Sequence, residues 1–194
     1  YLEKLIAQVF TGRERFEPGN PQEGYSPSPQ ERQSWLQISY MKEAYHTMGP
    51  KFTLGWMAEA LYSSKNFSEN YTATMMQAGE FAPTPHSKLM YNEAFRANQY
   101  VAAGIKPIYV LNDMFQFRTV FYGFTPIFPI KKNALNKAYY GKAFSRFEYM
   151  GEVSVICHLP FGAISAYVNH YSSPRREWNV GMTIGWQLFN YRFV

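Results

Sequence analysis

Residues 144–159, FSRFEYMGEVSVICHL, decide how the rest of the chain is read. Phe147, Tyr149, Val153, Val155, Cys157 and Leu159 alternate with Arg146, Glu148, Glu152, Ser154 and His158. Successive side chains of a strand point to opposite faces, so this segment predicts a strand with one continuous apolar face and one wet, charged face. The same period of two runs through 51–63, where Phe52, Leu54, Trp56, Ala58, Ala60 and Tyr62 oppose Thr53, Gly55 and Glu59. It returns in 176–188, where Trp178, Val180, Met182, Ile184, Trp186 and Leu188 oppose Asn179, Gly181, Thr183, Gly185 and Gln187.

Weaker alternation marks 34–47, 70–82, 97–111, 114–126 and 162–172, which makes about eight strands. The best of them extend for about 12 or 13 residues. Strands of globular proteins usually run to about 5 or 6, whereas a membrane-spanning strand needs about 9 to 11 and can project beyond the bilayer. Aromatic placement argues the same way: Phe147 and Tyr149 precede Val153 and Val155, and Trp178 and Trp186 bracket Val180, Met182 and Ile184. Aromatics at two interfaces with aliphatics between them are the pattern of an outer-membrane barrel. The expected fold is therefore all-β, an antiparallel transmembrane β-barrel. Since an open sheet edge cannot face lipid, the eight strands either close a small barrel or form the C-terminal half of a larger one.

Composition agrees. The 194 residues are 46% hydrophobic and 19% aromatic, with 17% charged and a net charge of +5. Such a chain is too aromatic to be disordered, yet its mean hydropathy is negative, and no run reaches the 18 apolar residues of a spanning helix. Alternation reconciles the two, because each spanning strand adds a polar residue for nearly every apolar one. Cys157 is the single cysteine, which excludes an intramolecular disulfide and a CxxC pair.

Before the strands, Leu2, Leu5, Ile6 and Val9 fit one short helical face, and Thr11 to Arg32 is rich in Pro, Gly, Ser, Gln and Glu. Residues 1–33 are thus expected to be an N-terminal segment with a Pro-rich linker, and 34–194 the barrel strands. The opening Tyr1-Leu2-Glu3-Lys4 has neither initiator Met nor signal peptide, as expected of a piece of a longer protein. Connections alternate in length: 111–114 and 159–162 are tight turns, whereas 83–96, 127–143 and 172–176 are longer. In outer-membrane barrels the short turns are periplasmic and the long loops lie outside.

Four runs resemble one family: NEAFRANQYVAAGIKPIYVLN (92–112), FYGFTPIFPI (121–130), FSRFEYMGEVSVICHLPFGAISAYVNHY (144–171) and REWNVGMTIGWQLFNYRF (176–193). They are similar to the C-terminal barrel of patatin-like phospholipases of Bacteroidetes-type bacteria. The resemblance implies a patatin-like acyl hydrolase domain, a linking region and a 16-stranded outer-membrane barrel of the bacterial surface-antigen type, of which this chain would be about half. It further implies a bacterial outer-membrane location and, as partners, the remaining strands and hydrolase domain of the same protein, the outer-membrane assembly machinery, and lipid with lipopolysaccharide. The family's chemistry resides in a Gly-x-Ser-x-Gly elbow and an Asp-Gly aspartate, and neither occurs here. Gly162-Ala163-Ile164-Ser165-Ala166 has the wrong spacing, so Ser165 reads as structural and no catalytic residue is assigned. Phe189, Tyr191 and Phe193 lie on the opposite parity from Trp186 and Leu188, which a bulge near Phe189 would correct.

The remaining candidates are weaker. His46, His86, His158 and His170 lack metal-ligand spacing, and no cofactor is expected. Glu148 and Glu152, four apart on a strand, are separated by about 13 Å, too far for a glycosidase pair; lumen cations such as Lys106, Arg118 and Arg146 are their expected partners. The sequons at Asn66 and Asn70 read as chance matches. Lys131, Lys132, Lys137 and Lys142, with Arg175 and Arg176, concentrate in the predicted outer loops, where they would meet anionic lipid head groups. No nucleic-acid motif accompanies them. The expected function is a non-catalytic outer-membrane barrel that anchors or exports a patatin-like phospholipase domain. The alternative is a self-contained eight-stranded barrel, either porin-like or a lipocalin-like binder of small ligands.

Overall fold

The computed structural model describes residues 1–13, 32–160, 162–173 and 178–186. Its main element is one eight-stranded antiparallel sheet in which each strand pairs with the next long strand of the chain. In order these are β1 (Leu2–Arg13), β2 (Arg32–Thr47), β3 (Phe52–Ser63), β6 (Gln99–Val110), β7 (Phe115–Pro126), β10 (Glu148–Leu159), β11 (Gly162–Tyr171) and β12 (Trp178–Trp186). Between β3 and β6 lie a helix α1 (Tyr71–Gln77), a 3-10 turn (Glu93–Phe95) and the two-residue strands β4 (Gly79–Glu80) and β5 (Arg96–Ala97). Between β7 and β10, β8 (Ile130–Lys132) and β9 (Ala138–Tyr140) make a small hairpin.

The count of eight arises from two corrections that cancel. Leu2–Val9 is not helical: it belongs to β1, which pairs along its whole length with β2, so the sheet begins at Leu2. Spacing at 2, 5, 6 and 9 suits a helical face, but on a strand it merely places Leu5 and Val9 on one side and Leu2 and Ile6 on the other. Residues 70–82, in contrast, are not a spanning strand. Asn70 caps α1 through its side chain, accepting from the Ala73 amide at 2.8 Å, and the helix is followed by β4. The Pro-rich segment 14–31 and the bulge expected near Phe189 lie outside the described residues.

The sheet buries apolar and polar side chains together on one face and leaves apolar side chains exposed on the other. On β10, Val153 is 52% exposed and Glu152, its neighbour, 4%. Ile105 and Phe121 are about half exposed, Val180 is 80% exposed, and Ser154 and Asn169 are buried. The apolar face is thus the free one. Phe52, Tyr109, Phe115 and Phe117 lie near the short-turn end of that face, Tyr62, Phe147, Tyr149 and Trp178 near the other, and Val153, Val155, Val168 and Ala166 between them.

The strands are also staggered. The ladder row Ala44–Trp56–Ile105–Phe121–Gly151–His170 lies three residues from the short-turn end on β2 and eight from it on β11. At about 3.4 Å per residue and about 4.8 Å between strands, that is a tilt of roughly 35°, within the range of strands that close into barrels. Among the described residues β1 and β12 do not pair with each other.

Turn parity is as expected: the turns after β2, β6 and β10 fall at one end, and the connections after β1, β3, β7 and β11 at the other. Asn112 closes one tight turn, its side-chain oxygen accepting from the Met114 and Phe115 amides at 3.0 and 2.8 Å. On the inner face, glycine on one strand makes room for tyrosine on the next. A Cβ at Gly104 would stand 2.2 Å from the Tyr122 ring and 2.6 Å from the Phe121 carbonyl oxygen. Gly104→Ala is therefore expected to destabilise the fold by about 1–3 kcal/mol through overpacking. Gly151→Ala, whose Cβ meets nothing closer than 3.7 Å, should leave the chemical-unfolding midpoint nearly unchanged.

Candidate functional site

The inner face is filled by the chain's own connection. Residues 78–97 fold back from the end of β3 onto the sheet and bury Phe81, Ala94, Phe95 and Ala97 against Tyr100, Tyr122, Phe124, Met150 and Tyr171. Phe81 packs on Tyr100, Tyr122 and Phe124 with ring centroids 5.8 to 6.1 Å apart, and Phe95 meets Phe124 and Tyr171 at 5.6 and 6.0 Å. The loop 83–96, at the end of the sheet that carries the long connections, turns inward because these aromatics gain a dry face there.

Polar contacts hold the connection in place. Arg96 donates to the Met76 and Ala78 carbonyls at the C-terminal end of α1, at 3.0 and 3.2 Å, and pairs with Glu80 at 2.7 Å. Cations are favoured at such helix ends, where carbonyls lack intrahelical partners. Arg146 donates to the Ala94 carbonyl at 2.9 Å, and the Asn92 amide to the Ser173 carbonyl at 3.0 Å. His86 shares a hydrogen bond of 2.8 Å with the Tyr171 hydroxyl.

Towards the short-turn end, the inner face keeps a polar cavity of about 100 Å³, with Tyr45, Lys106, Gln116, Arg118 and Glu152 on the strands and Thr84 and Pro85 on the connection above. Lys106 pairs with Glu43 beside Gly55, whose missing side chain makes room for the Tyr45 ring. The expectation that the strand carboxylates pair with cations holds: Glu152 has Arg118 at 3.8 Å and Glu148 has Arg146 at 3.9 Å. Ser165 sits on β11 opposite Ile156 and Thr183, as a strand residue. Among the described residues there is no group of three or more His, Cys, Asp or Glu side chains able to hold a metal ion.

Of the basic residues singled out, four are brought together. Lys131 and Lys132 lie on β8 and Lys137 in its turn, with Lys142 just past β9, and all four are exposed. Asn133 shapes the turn by accepting from the Leu135 and Lys137 amides, both at 2.9 Å. Exposed Leu135, Tyr139 and Phe144 stand among the lysines. Arg175 and Arg176 lie outside the described residues. The inward connection went unread in the sequence, although the density of Phe81, Phe95 and small residues around Arg96 was a usable sign of a buried, non-strand segment. Set against protein-family models, curated proteins and solved structures, the chain matches none of them.

Burial holds the His86 imidazole below its usual range by disfavouring the charged form. The docked connection thus keeps its full stability above about pH 6.5 and loses part of it as pH falls through the lowered value. The drop in thermal midpoint between pH 7 and pH 5 should accordingly be larger in the wild type than in His86→Gln.

Proposed function

We propose that this chain is the barrel portion of a bacterial outer-membrane protein, contributing eight strands that anchor or export a separately folded acyl hydrolase domain of the patatin-like phospholipase type. The single observation that carries the membrane part is the free apolar face: valine, isoleucine and phenylalanine lie exposed along one side of the sheet, while the other side, with Tyr100, Tyr122 and Phe124 as well as Glu152, Ser154 and Asn169, is buried. Such a face, some eight strands wide, far exceeds the apolar patch of a few hundred Å² that soluble monomers expose. Lipid is the environment in which it is stable. The hydrolase part rests on the resemblance of residues 92–193 given above.

A barrel wider than eight strands is supported by what the inner face already holds. The interior of an eight-stranded barrel is just wide enough for its own side chains, whereas here residues 78–97 occupy it with backbone as well as aromatic rings. Free edges at β1 and β12 fit the same reading, since further strands must pair with them. A lipocalin-like binder would not leave so wide an apolar face free on the outside. The lysines of the β8–β9 hairpin, interleaved with Leu135, Tyr139 and Phe144, suit contact with the phosphates of lipopolysaccharide head groups at the membrane surface.

Two measurements test this. The chain is expected to need detergent or lipid to remain monodisperse, and a stable, monodisperse chain in plain buffer would overturn the membrane reading. Val153→Arg on the apolar face should cost about 2–4 kcal/mol of folding stability in lipid bilayers, against a small effect of Thr183→Arg on the inner face; equal effects would mean that the faces are wrongly assigned.

A further inference from the structure

The β8–β9 hairpin stands at the end of β7. Its base is closed by the Gly141 amide donating to the Pro129 carbonyl at 2.7 Å and the Phe144 amide to the Ile127 carbonyl at 2.9 Å, and Ile127 directly follows Pro126, the last residue of β7. From Ile127 to Phe147 the chain has no acidic residue. Among the described residues no carboxylate pairs with Lys131, Lys132, Lys137 or Lys142. Four exposed cations therefore share one hairpin without an internal counter-charge. Phe144 takes a left-handed backbone, φ 51°, uncommon for a bulky residue, and the rings of Phe144 and Phe147 are both exposed.

On the same strand, the apolar face of the sheet has a hollow of about 450 Å³. Its floor is two ladder rows, Ala60–Val101–Thr125 and Ala58–Ala103–Gly123. Tyr40 and Phe147 wall it, and the Phe147 ring lies on Gly123, where a Cβ would stand 2.9 Å from it. Ala60 is three residues from the end of β3 and Thr125 one from the end of β7. At about 3.4 Å per residue the hollow opens within about 10 Å of the long-connection end. The chain leaving the hairpin runs from Lys142 through Phe144 to Phe147, so lysines and hollow meet at one end of β7.

We infer that this end of β7 holds one lipopolysaccharide molecule of the outer leaflet, its phosphates on the hairpin lysines and one acyl chain laid in the hollow. The inference rests on the membrane reading above and deepens it, replacing general contact with head groups by a site for a single lipid. Charge complementarity selects the occupant. Unpaired cations next to an apolar hollow match an amphiphile whose anionic groups stay at the membrane surface while its chains descend into hydrocarbon. An acidic protein segment would answer the lysines, but it would leave the hollow, which lies at membrane depth, to other hydrocarbon; lysine is also depleted at protein interfaces. A lipid with a single phosphate leaves more of the hairpin charge unanswered than one with two.

The test uses the full chain in detergent micelles, with bound lipid counted by native mass spectrometry and affinity read by titration with lipid A carrying two phosphates. Wild type is expected to retain one lipid A per chain and to prefer it to phosphatidylglycerol and to lipid A stripped of phosphate. Lys131→Gln with Lys132→Gln should weaken binding roughly tenfold or more. Ala103→Trp fills the hollow and leaves the lysines intact, and it should weaken binding by roughly tenfold through lost acyl contact. Ala166→Trp, on the same face but outside the hollow, should bind as wild type does. Where one of these variants fails to fold in micelles, Lys137→Gln with Lys142→Gln, or Thr125→Phe in the hollow, makes the same comparison. Phosphatidylglycerol binding as tightly as lipid A, displacement of lipid A by an equal concentration of inorganic phosphate, or undiminished binding by Ala103→Trp would each overturn the proposal. So would a second copy or an acidic peptide displacing the lipid. A detergent-requiring chain that retains no lipid A defeats this site alone, whereas a chain monodisperse in plain buffer defeats the membrane reading with it.

Discussion

A strand offers its side chains only two directions, and this sheet's eight long strands share one ladder, so the whole structure depends on which of its two faces is dry. Pairing from β1 to β12 keeps parity without interruption. Val153, Val168 and Val180 therefore line one side of neighbouring strands while Glu152, Asn169 and Asn179 line the other. A single slip of register would move every one of these residues to the wrong face. The free side is apolar almost throughout, whereas the buried side mixes Glu152, Ser154 and Asn169 with Met57, Tyr100, Tyr122 and Phe124.

Burying polar side chains has its own condition, since each needs a partner or water. The inner face meets it in part, in two ways, although Glu152 Oε2 and the Asn169 side chain have no hydrogen-bond partner among the described residues. Near the short turns, Lys106 with Glu43 and Arg118 with Glu152 set opposite charges on adjacent strands or beside a glycine. Near the long connections, the sheet is covered by residues 78–97, whose Phe81 and Phe95 turn that part of the inner face into an aromatic core. The connection stays there through hydrogen bonds from Arg96 to carbonyls at the end of α1 and from Arg146 to the Ala94 carbonyl of the 3-10 turn. Shape and electrostatics thus act together: an aromatic core fills one end of the inner face and a charged cavity remains at the other.

Legibility differed from segment to segment for physical reasons. Alternation was plain in 51–63, 144–159 and 176–188 because one face there is purely apolar, and the ladder follows it. Leu2–Val9 was ambiguous because both of its faces bear apolar residues, Leu5 and Val9 outward and Leu2 and Ile6 inward, so that a helical spacing fits equally well. Residues 70–82 misled for the opposite reason: Met75 and Met76 sit next to each other, a spacing that suits α1, with Met75 buried against Ile130. Of the candidate site residues, the lysines of 131–142 were visible as a cluster in sequence, but the turn at Asn133 that gathers them on one hairpin was not.

Taken alone, the sequence determined the antiparallel all-β class, the location of most long strands, the parity of the turns and the charged partners of Glu148 and Glu152, because all of these follow from a period of two and from charge. The tertiary structure decided the rest. It put β1 into the sheet, turned residues 78–97 onto the inner face and set the strand stagger. Each of these depends on contacts between residues far apart in the chain, and local periodicity carries no information about which distant surface a segment will find.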